Sequence, residues 1–290
     1  MNKLARRALH WVGNALAIIG IVFIAFRMHE YSAQLDFTRF DLLAWTILMV
    51  FVIAYGLASI MLALAWWNLL THFGATTPQL WAVRVYGLTQ LAKYVPGNIM
   101  HLASRQAMGM AGGVRGWPLA KSSMWELGLI SVTGSLFFVL ALPQFLPDVS
   151  STMATVAFVV VFIIMVSGLT KFVGSQAARA VWLYTSFLIV SGMLFVGLLV
   201  LLMGGSEIAH SQVLPFCGAF VVAWLVGLVT PGAPAGVGVR ELVLMALLKG
   251  LVPEDDLLMA VLLSRVVTVG GDGLFFLVVS LFSVRKTSLS

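Results

Sequence analysis

The sequence predicts an all-α polytopic membrane protein made of two inverted-topology repeats, each with three spanning helices and one re-entrant helical hairpin. Three observations lead to this prediction: long apolar runs through most of the 290 residues, a matched pair of Pro-Gly breaks, and an asymmetric distribution of charge. The chain is 61% hydrophobic and 10% charged, whereas a soluble domain carries about 25% charged residues. Its mean hydropathy is +1.03. We therefore expect a single transmembrane domain over residues 1–290, with repeats at 1–145 and 146–290.

The apolar runs have the length that crosses a bilayer, which is about 20 residues. No A-x-A-like cleavage site follows the first ten residues, so the first run is expected to be an uncleaved span. Two further segments mix apolar and polar residues and are not plain spans. In chain order the predicted spans are 11–26, 42–70, 123–142, 152–169, 181–203 and 257–282, and the two mixed segments are 79–111 and 213–251.

Each mixed segment carries a Pro-Gly that is followed, nine residues after the proline, by an arginine. Proline removes a backbone donor and glycine permits unusual dihedrals, so a helix breaks there. A broken helix in a bilayer survives only where protein or a water-filled cavity covers the freed backbone. Paired breaks in the two halves of a membrane protein point to a transporter's binding site. We expect these to be hairpin tips: Pro96 and Gly97 before Arg105, and Pro231 and Gly232 before Arg240.

The distribution of positive charge orients the spans, because Lys and Arg accumulate in cytoplasmic loops. The basic groups at both termini and around Arg115 and Lys171 fall on one side only if each mixed segment enters and leaves on the same face. The halves then have opposite orientation, which is an inverted repeat. Leu-Phe-Phe also recurs at 136–138 and 274–276, an offset of 138 residues, close to the 135 of the Pro-Gly pair. The predicted location is the inner (plasma) membrane, with both termini cytoplasmic.

Arg105 and Arg240 are the centre of the predicted site. An arginine at the bilayer centre costs roughly 2.5–3.5 kcal/mol on insertion scales, so each must face a cavity or a partner. In one interpretation both flank a shared polar cavity and bind a lipid phosphate, because the planar guanidinium pairs bidentately with phosphate oxygens. Backbone donors near Asn98 and Gly236 would bind the same anion. In the other, each arginine reaches an interface or fixes its own hairpin through Glu241 or a carbonyl.

Four more polar side chains are candidates. His101 precedes Arg105 by four residues and shares its helical face. Lys93 either selects anionic headgroups at the cavity mouth or extends to an interface. Glu126 and Arg265 occupy nearly equivalent positions in the third and last predicted spans, one residue apart on the 138-residue offset. We predict that they form a buried charge pair, with the alternative that each serves a hairpin arginine or glutamate.

Other chemistry is not indicated. The five histidines lie in separate segments without metal-ligand spacing, so neither a metal site nor a cofactor is expected. No hydrolytic constellation is present, and we do not expect an enzyme. Asp272 is interpreted as a proton or cation site or as an indirect partner of Arg265, and it is not assigned to the substrate site. The net charge of +6 fits membrane topology and anionic lipid rather than nucleic acid.

At these motifs the chain resembles the flippase-like family named for the transmembrane region of lysylphosphatidylglycerol synthase. The resemblance rests on KYVPGN at 93–98 with Arg105, and on TPGAPAGVGVRE at 230–241, where a shorter TPGGLGVRE-like form is typical. The similarity in span pattern extends over nearly the whole chain. The family includes the phospholipid-flipping part of the synthase and stand-alone proteins encoded with lipid-linked glycan enzymes. The resemblance implies a stand-alone member without the synthase domain.

Motifs and resemblance together predict an integral membrane flippase or transporter. It would move an anionic phospholipid or a polyprenyl-phosphate-linked saccharide between leaflets, with the phosphate held by the hairpin arginines. The alternatives are an intramembrane enzyme acting on lipid phosphates and a non-transporting scaffold for a membrane glycosyltransferase. The expected partners are a lipid substrate and a glycosyltransferase or other lipid-modifying enzyme, and a homodimer stays open. The predicted substrate-binding residues are Arg105, Arg240, Glu241, His101, Asn98 and Lys93.

Overall fold

The computed structural model describes residues 40–95, 99–146, 148–203, 208–230 and 234–281. Within these ranges the protein consists of α-helices, short 3₁₀ turns and connecting loops, and it contains no β-strand. The predicted first span at 11–26, Asn98 and the hairpin-tip residues Pro96, Gly97, Pro231 and Gly232 lie outside the described residues.

Ten helices follow one another along the described chain. Six of them are long and apolar enough to cross a membrane: α1, α4 with its continuation α5, α6, α7, α8 and α10. The predicted spans that fall within the described residues are all helical, so the sequence prediction of a multi-pass helical membrane protein is confirmed. The helices are α1 Leu42–His72, α2 Gln79–Gln90, α3 Met100–Ala111, α4 Gly116–Leu136, α5 Phe138–Ala141, α6 Ser151–Phe172, α7 Ser175–Leu202, α8 His210–Val229, α9 Val239–Leu248 and α10 Glu254–Leu281.

Side-chain caps fix where two of the spanning helices begin. The carboxylate of Asp41 accepts a hydrogen bond from the backbone N–H of Ala44 at 2.8 Å and starts α1. The hydroxyl of Ser150 accepts one from the N–H of Met153 at 3.1 Å and starts α6. Such caps bind backbone donors that have no partner within the helix. Each of these two spans therefore begins at a polar residue directly before an apolar run.

The outer surface of the bundle is apolar. α6 is the least buried of the six long helices and exposes a row of large apolar side chains. In water such a surface would aggregate, whereas against lipid tails it is the expected one. The exposed large apolar residues of α6 are Met153, Val156, Val159, Val160, Val161, Ile163, Ile164 and Phe172.

The centre of the bundle is formed by α1, α7 and α10, which pack against one another. Glycines bring α1 and α10 close together. A Cβ atom placed on Gly271 would lie 2.9 Å from both the backbone nitrogen of Gly56 and the carbonyl oxygen of Val52. Close backbone approach at small residues is how helices associate in lipid, where apolar side chains gain nothing by leaving the solvent. As a result, the polar side chains of α10 lie in the interior of the bundle.

The three helices α2, α3 and α9 are shorter than the spans and lie beside them. α3 packs against α2 and α4, and α9 packs against α8 and α10. The guanidinium of Arg240, at the start of α9, lies 4.2 Å from the ring centroid of Phe220, well before the end of α8. The chain therefore folds back on itself between α8 and α9. This places the first turn of α9 inside the bundle.

Candidate functional site

A cavity of about 100 Å³ lies between the short helices and the spans. Its charged and titratable lining comes from both halves of the chain: Lys93, His101, Glu126, Arg240 and Arg265. Tyrosines, Gln90, Thr268 and apolar side chains complete the wall. The cavity therefore brings charged groups from both halves together inside an apolar bundle.

Arg105 is fully buried and forms an ion pair with Glu126 of α4. The other carboxylate oxygen of Glu126 accepts a hydrogen bond from the hydroxyl of Tyr86 at 2.8 Å. The rings of Tyr86 and Trp66 lie 3.8 Å and 5.1 Å from the guanidinium carbon of Arg105. Glu126 is one of the described residues that line the cavity, and Arg105 is not. Arg105 thus lies behind the carboxylate and is not positioned to touch a substrate in the cavity.

Arg265 of α10 binds the chain between α8 and α9. Its Nε donates to Glu241 Oε1 at 2.5 Å, and its Nη1 and Nη2 donate to the carbonyl oxygens of Ala235 and Gly236, each at 3.0 Å. Ala235 has a φ of +49°, in the left-handed region that an alanine rarely adopts. The guanidinium stabilises this strained turn by binding both of its carbonyl groups.

The predicted ion pair between Glu126 and Arg265 is wrong, because each binds a residue of a short helix instead. The 138-residue offset makes Leu127, and not Glu126, the counterpart of Arg265. One residue along a helix rotates a side chain by about 100°. On the predicted repeat the two side chains would therefore point in different directions. The structure pairs Glu126 with Arg105 and Arg265 with Glu241, which are the residues named in the alternative prediction.

Asp272 of α10 is fully buried and has three partners from the end of α2 and the turn after it. Lys93 Nζ lies 2.6 Å from its carboxylate, the hydroxyl of Tyr94 donates to it at 2.5 Å, and Gln90 Nε2 donates to it at 3.2 Å. The sequence predicts Lys93 at the cavity mouth or an interface, and Asp272 as a proton or cation site or an indirect partner of Arg265, so it does not predict their pairing. In the structure Asp272 holds Lys93 at the cavity wall.

Arg240 has no carboxylate within ion-pair distance in the part of the chain that the structure describes. It lines the cavity, is only 4% exposed, and has no hydrogen-bond partner for its Nη2. The adjacent Glu241 is bound to Arg265 instead. Burial and the positive charge of Arg265 lower the pKa of Arg240 to about 9. The side chain is therefore cationic at neutral pH but lacks a counter-charge.

His101 also faces the cavity, and its Nδ1 is buried without a hydrogen-bond partner among the described residues. Burial, together with the charges of Arg105 and Lys93, lowers the pKa of His101 to about 3. The imidazole is neutral at physiological pH and offers a hydrogen-bonding group without adding charge to the site.

The aromatic part of the wall was missed by sequence reasoning. Tyr55, Tyr86 and Tyr94 line the cavity, as do Phe187 and Trp224. A buried tyrosine usually needs a partner for its hydroxyl, so a tyrosine inside an apolar run is a signal for a polar interior. Tyr55 in the middle of α1 is such a signal.

The fold and the site define a multi-pass helical membrane protein with a charged cavity among its helices. No model of a known protein family matches the chain, and no curated protein is similar to it in sequence. Within the described residues no group of His, Cys, Asp and Glu is arranged to hold a metal ion. Any functional assignment therefore depends on the chemistry of the cavity.

Proposed function

We propose that this protein is a lipid transporter of the flippase type, which moves lipids with an anionic headgroup between leaflets. Arg240 carries the proposal, because it is a buried cation at a cavity wall with no counter-charge in the described chain. A buried unpaired charge is strongly unfavourable unless a ligand compensates it. A phosphate is the natural ligand, since the guanidinium fork matches its oxygens.

The inverted repeat with two re-entrant hairpins belongs to the same proposal. α2 and α3 have 12 residues each and α9 has 10, which corresponds to roughly 15–18 Å at 1.5 Å per residue. The hydrocarbon core is about 30 Å thick, so these helices are too short to cross it. They fit arms that enter the membrane and return. The second proposed hairpin pairs the short α9 with α8, which at 20 residues is itself long enough to cross. The basic segments then face the cytoplasm, and the proposed location is the inner (plasma) membrane.

The ion pairs support the duplication. In the first half a short helix binds the span that follows it through Arg105 and Glu126. In the second half the equivalent helices are joined through Glu241 and Arg265. The connection is the same and the charges are exchanged, as expected of two copies that have diverged while keeping a neutral pair at one position.

The size of the cavity fits a headgroup and not a whole lipid. Its volume of about 100 Å³ is well below the roughly 300–1,000 Å³ of pockets that enclose a drug-sized ligand. Leu127 lines the cavity and is also 41% exposed at the surface of the bundle. The cavity therefore lies directly behind the lipid-facing surface of α4. A headgroup can enter there while its acyl chains remain in the bilayer.

The two alternatives have weaker support. An intramembrane enzyme acting on lipid phosphates needs a base at the cavity; Glu126 and Glu241 are each paired with an arginine, which leaves His101 as the candidate. A scaffold for a membrane glycosyltransferase has no use for an uncompensated arginine at a cavity. Arg240 therefore counts against the scaffold, and the enzyme is distinguished from the transporter by whether the lipid is chemically changed.

Transport is testable in proteoliposomes that contain the purified protein and acyl-labelled phospholipids or polyprenyl-phosphate sugars. We expect the protein to accelerate transbilayer movement, measured by the fraction of label that an external quencher reaches. Arg240→Gln should slow this movement by about tenfold or more, as expected for loss of a charge-assisted hydrogen bond. The matched control is Arg179→Gln, an exposed arginine on α7. Movement no faster than in protein-free vesicles, or an undiminished rate in Arg240→Gln, would reject the proposal.

A further inference from the structure

In the part of the chain that the structure describes, the charged side chains around the cavity form ion pairs with one exception. Lys93 is neutralised by Asp272, and Arg265 by Glu241. Glu126, which faces the cavity, is neutralised by Arg105 behind it. Each of these pairs contributes no net charge to the site.

Arg240 is the exception, so the described residues of the cavity and the groups directly behind it carry one net positive charge. In a medium of low dielectric constant an unbalanced charge interacts strongly over several ångströms. The charge of an incoming headgroup is therefore decisive for its binding.

Among the described residues that line the cavity, no carboxylate is free to accept an ammonium group. Both oxygens of Glu126 are already bound, one by Tyr86 and the other by Arg105. Glu241 is not among the described residues that line the cavity. A zwitterionic headgroup would place its ammonium near Arg240 and Arg265 without a counter-charge. A diphosphate would bring more negative charge than Arg240 alone can neutralise.

We infer that the site selects lipids whose headgroup is a phosphodiester with a single net negative charge, of which phosphatidylglycerol is the simplest example, over zwitterionic and diphosphate lipids. Arg240 is the residue that determines this specificity. The inference rests on the proposed function, because it names the substrate class of the same site. It is nevertheless measurable by binding alone.

The binding experiment measures the rise in melting temperature of the purified protein in detergent, since a ligand that binds only the folded state stabilises it. The probes are dihexanoyl phosphatidylglycerol, dihexanoyl phosphatidylethanolamine and geranyl diphosphate at matched concentrations. A fourth probe, glycerophosphoglycerol, carries the same headgroup without acyl chains. We expect the phosphatidylglycerol probe to bind about tenfold or more tightly than the others.

Variants identify the residue responsible. Arg240→Gln should abolish the preference for the phosphatidylglycerol probe. Arg240→Lys should bind the probes in the same order with a smaller rise in melting temperature. The surface control Arg179→Gln should behave as the native protein. Equal binding of the ethanolamine probe, tighter binding of the diphosphate, or an unchanged preference in Arg240→Gln would overturn the inference. Equal binding of glycerophosphoglycerol would instead identify a soluble anion as the ligand and would also overturn it.

The transport assay separates this inference from the function on which it rests. Labelled phosphatidylglycerol should cross faster than labelled phosphatidylethanolamine in the same proteoliposomes. If both cross equally, the protein is a flippase without this selectivity and the inference fails alone. If neither crosses but phosphatidylglycerol still binds preferentially through Arg240, transport fails and the headgroup specificity stands.

Discussion

The carboxylate of Glu126 on α4 binds the guanidinium of Arg105 on α3, and the rings of Tyr86 and Trp66 pack against that guanidinium. This pair binds Arg105 and leaves it outside the described lining of the cavity. Arg240, which has no equivalent carboxylate in the described chain, is left facing the cavity. The two arginines therefore differ, because Arg105 joins α3 to α4 and Arg240 lies at the cavity without a carboxylate partner among the described residues.

The first prediction concerns the pair itself. Arg105→Met alone leaves the buried Glu126 without a counter-charge, and Glu126→Leu alone leaves Arg105 in the same state. Each single change should destabilise the protein by about 3–5 kcal/mol, and the double variant should be less damaged than either. Thermal and SDS-induced unfolding is measured for the native protein, the two single variants and the double variant, which together form a double-mutant cycle. Additive damage in the double variant would show that the two residues do not depend on each other.

The second prediction is that Arg240 is needed for lipid transport and not for the stability of the fold. Arg240→Met removes an uncompensated buried charge and keeps an apolar contact with the ring of Phe220. We expect a melting temperature equal to or above that of the native protein, together with loss of lipid transport. Arg105→Met, measured beside it, should melt much lower. If Arg240→Met melts as low as Arg105→Met, Arg240 must have a structural counter-charge.

The spanning helices could be predicted from the sequence because each depends on a local pattern, a long run of apolar residues. The run predicted at 152–169 becomes α6 at Ser151–Phe172, and the run at 257–282 becomes α10 at Glu254–Leu281. Length and apolarity decide these elements, and neither depends on distant residues. The mixed segment 79–111 contains two short helices, Gln79–Gln90 and Met100–Ala111, and the hairpin that the sequence predicts there stays a prediction.

The ion-pair partners of the buried charged residues could not be predicted from the sequence in the same way. The contact between Lys93 and Asp272 joins residues far apart in the chain, and no pattern in either neighbourhood indicates the other. An internal repeat gives depth in the membrane but not the direction of a side chain, which changes by about 100° per residue. Glu126 and Arg265 show the consequence, because the 138-residue offset led us to pair them and the structure gives them different partners.

The third prediction is an asymmetry between Lys93 and Asp272. Lys93→Met leaves a carboxylate that is fully buried and unpaired. Asp272→Asn leaves an ammonium whose side chain is 19% exposed and can extend toward water, while the new amide still accepts from Tyr94. Lys93→Met should therefore be the more destabilising by about 1–3 kcal/mol. A double variant that is no more stable than Lys93→Met would contradict the pairing.

The fourth prediction tests the inverted topology. Arg115 and Lys249 are exposed, and they follow the first and second proposed hairpins. Because Cys217 is buried, it should not react with a membrane-impermeant thiol reagent. Arg115→Cys should be labelled from the cytoplasmic side and Lys249→Cys from the opposite side. Labelling of both from the same side would reject the inverted repeat and leave the cavity chemistry unaffected.

The fifth prediction compares two glycines of α10 that differ only in their surroundings. A Cβ on Gly271 would lie 2.7 Å from Tyr55 Cδ1 and 2.9 Å from the backbone nitrogen of Gly56, whereas a Cβ on Gly273 meets nothing within 4 Å. Gly271→Ala must push α10 away from α1, at a cost of about 1–3 kcal/mol. Gly273→Ala should be neutral or stabilising by up to about 1 kcal/mol, because alanine is the better helix former.

The displacement of α10 should also reach the site, because this helix carries both Arg265 and Asp272. Gly271→Ala is therefore expected to reduce lipid transport in the protein that remains folded, and Gly273→Ala is expected to leave it at the native rate. Melting temperature and transport are measured on the same preparations, so that loss of folded protein is separated from loss of activity. Equal behaviour of the two variants would mean that α1 and α10 do not approach closely at Gly271, and the position of α10 beside the cavity would then be wrong.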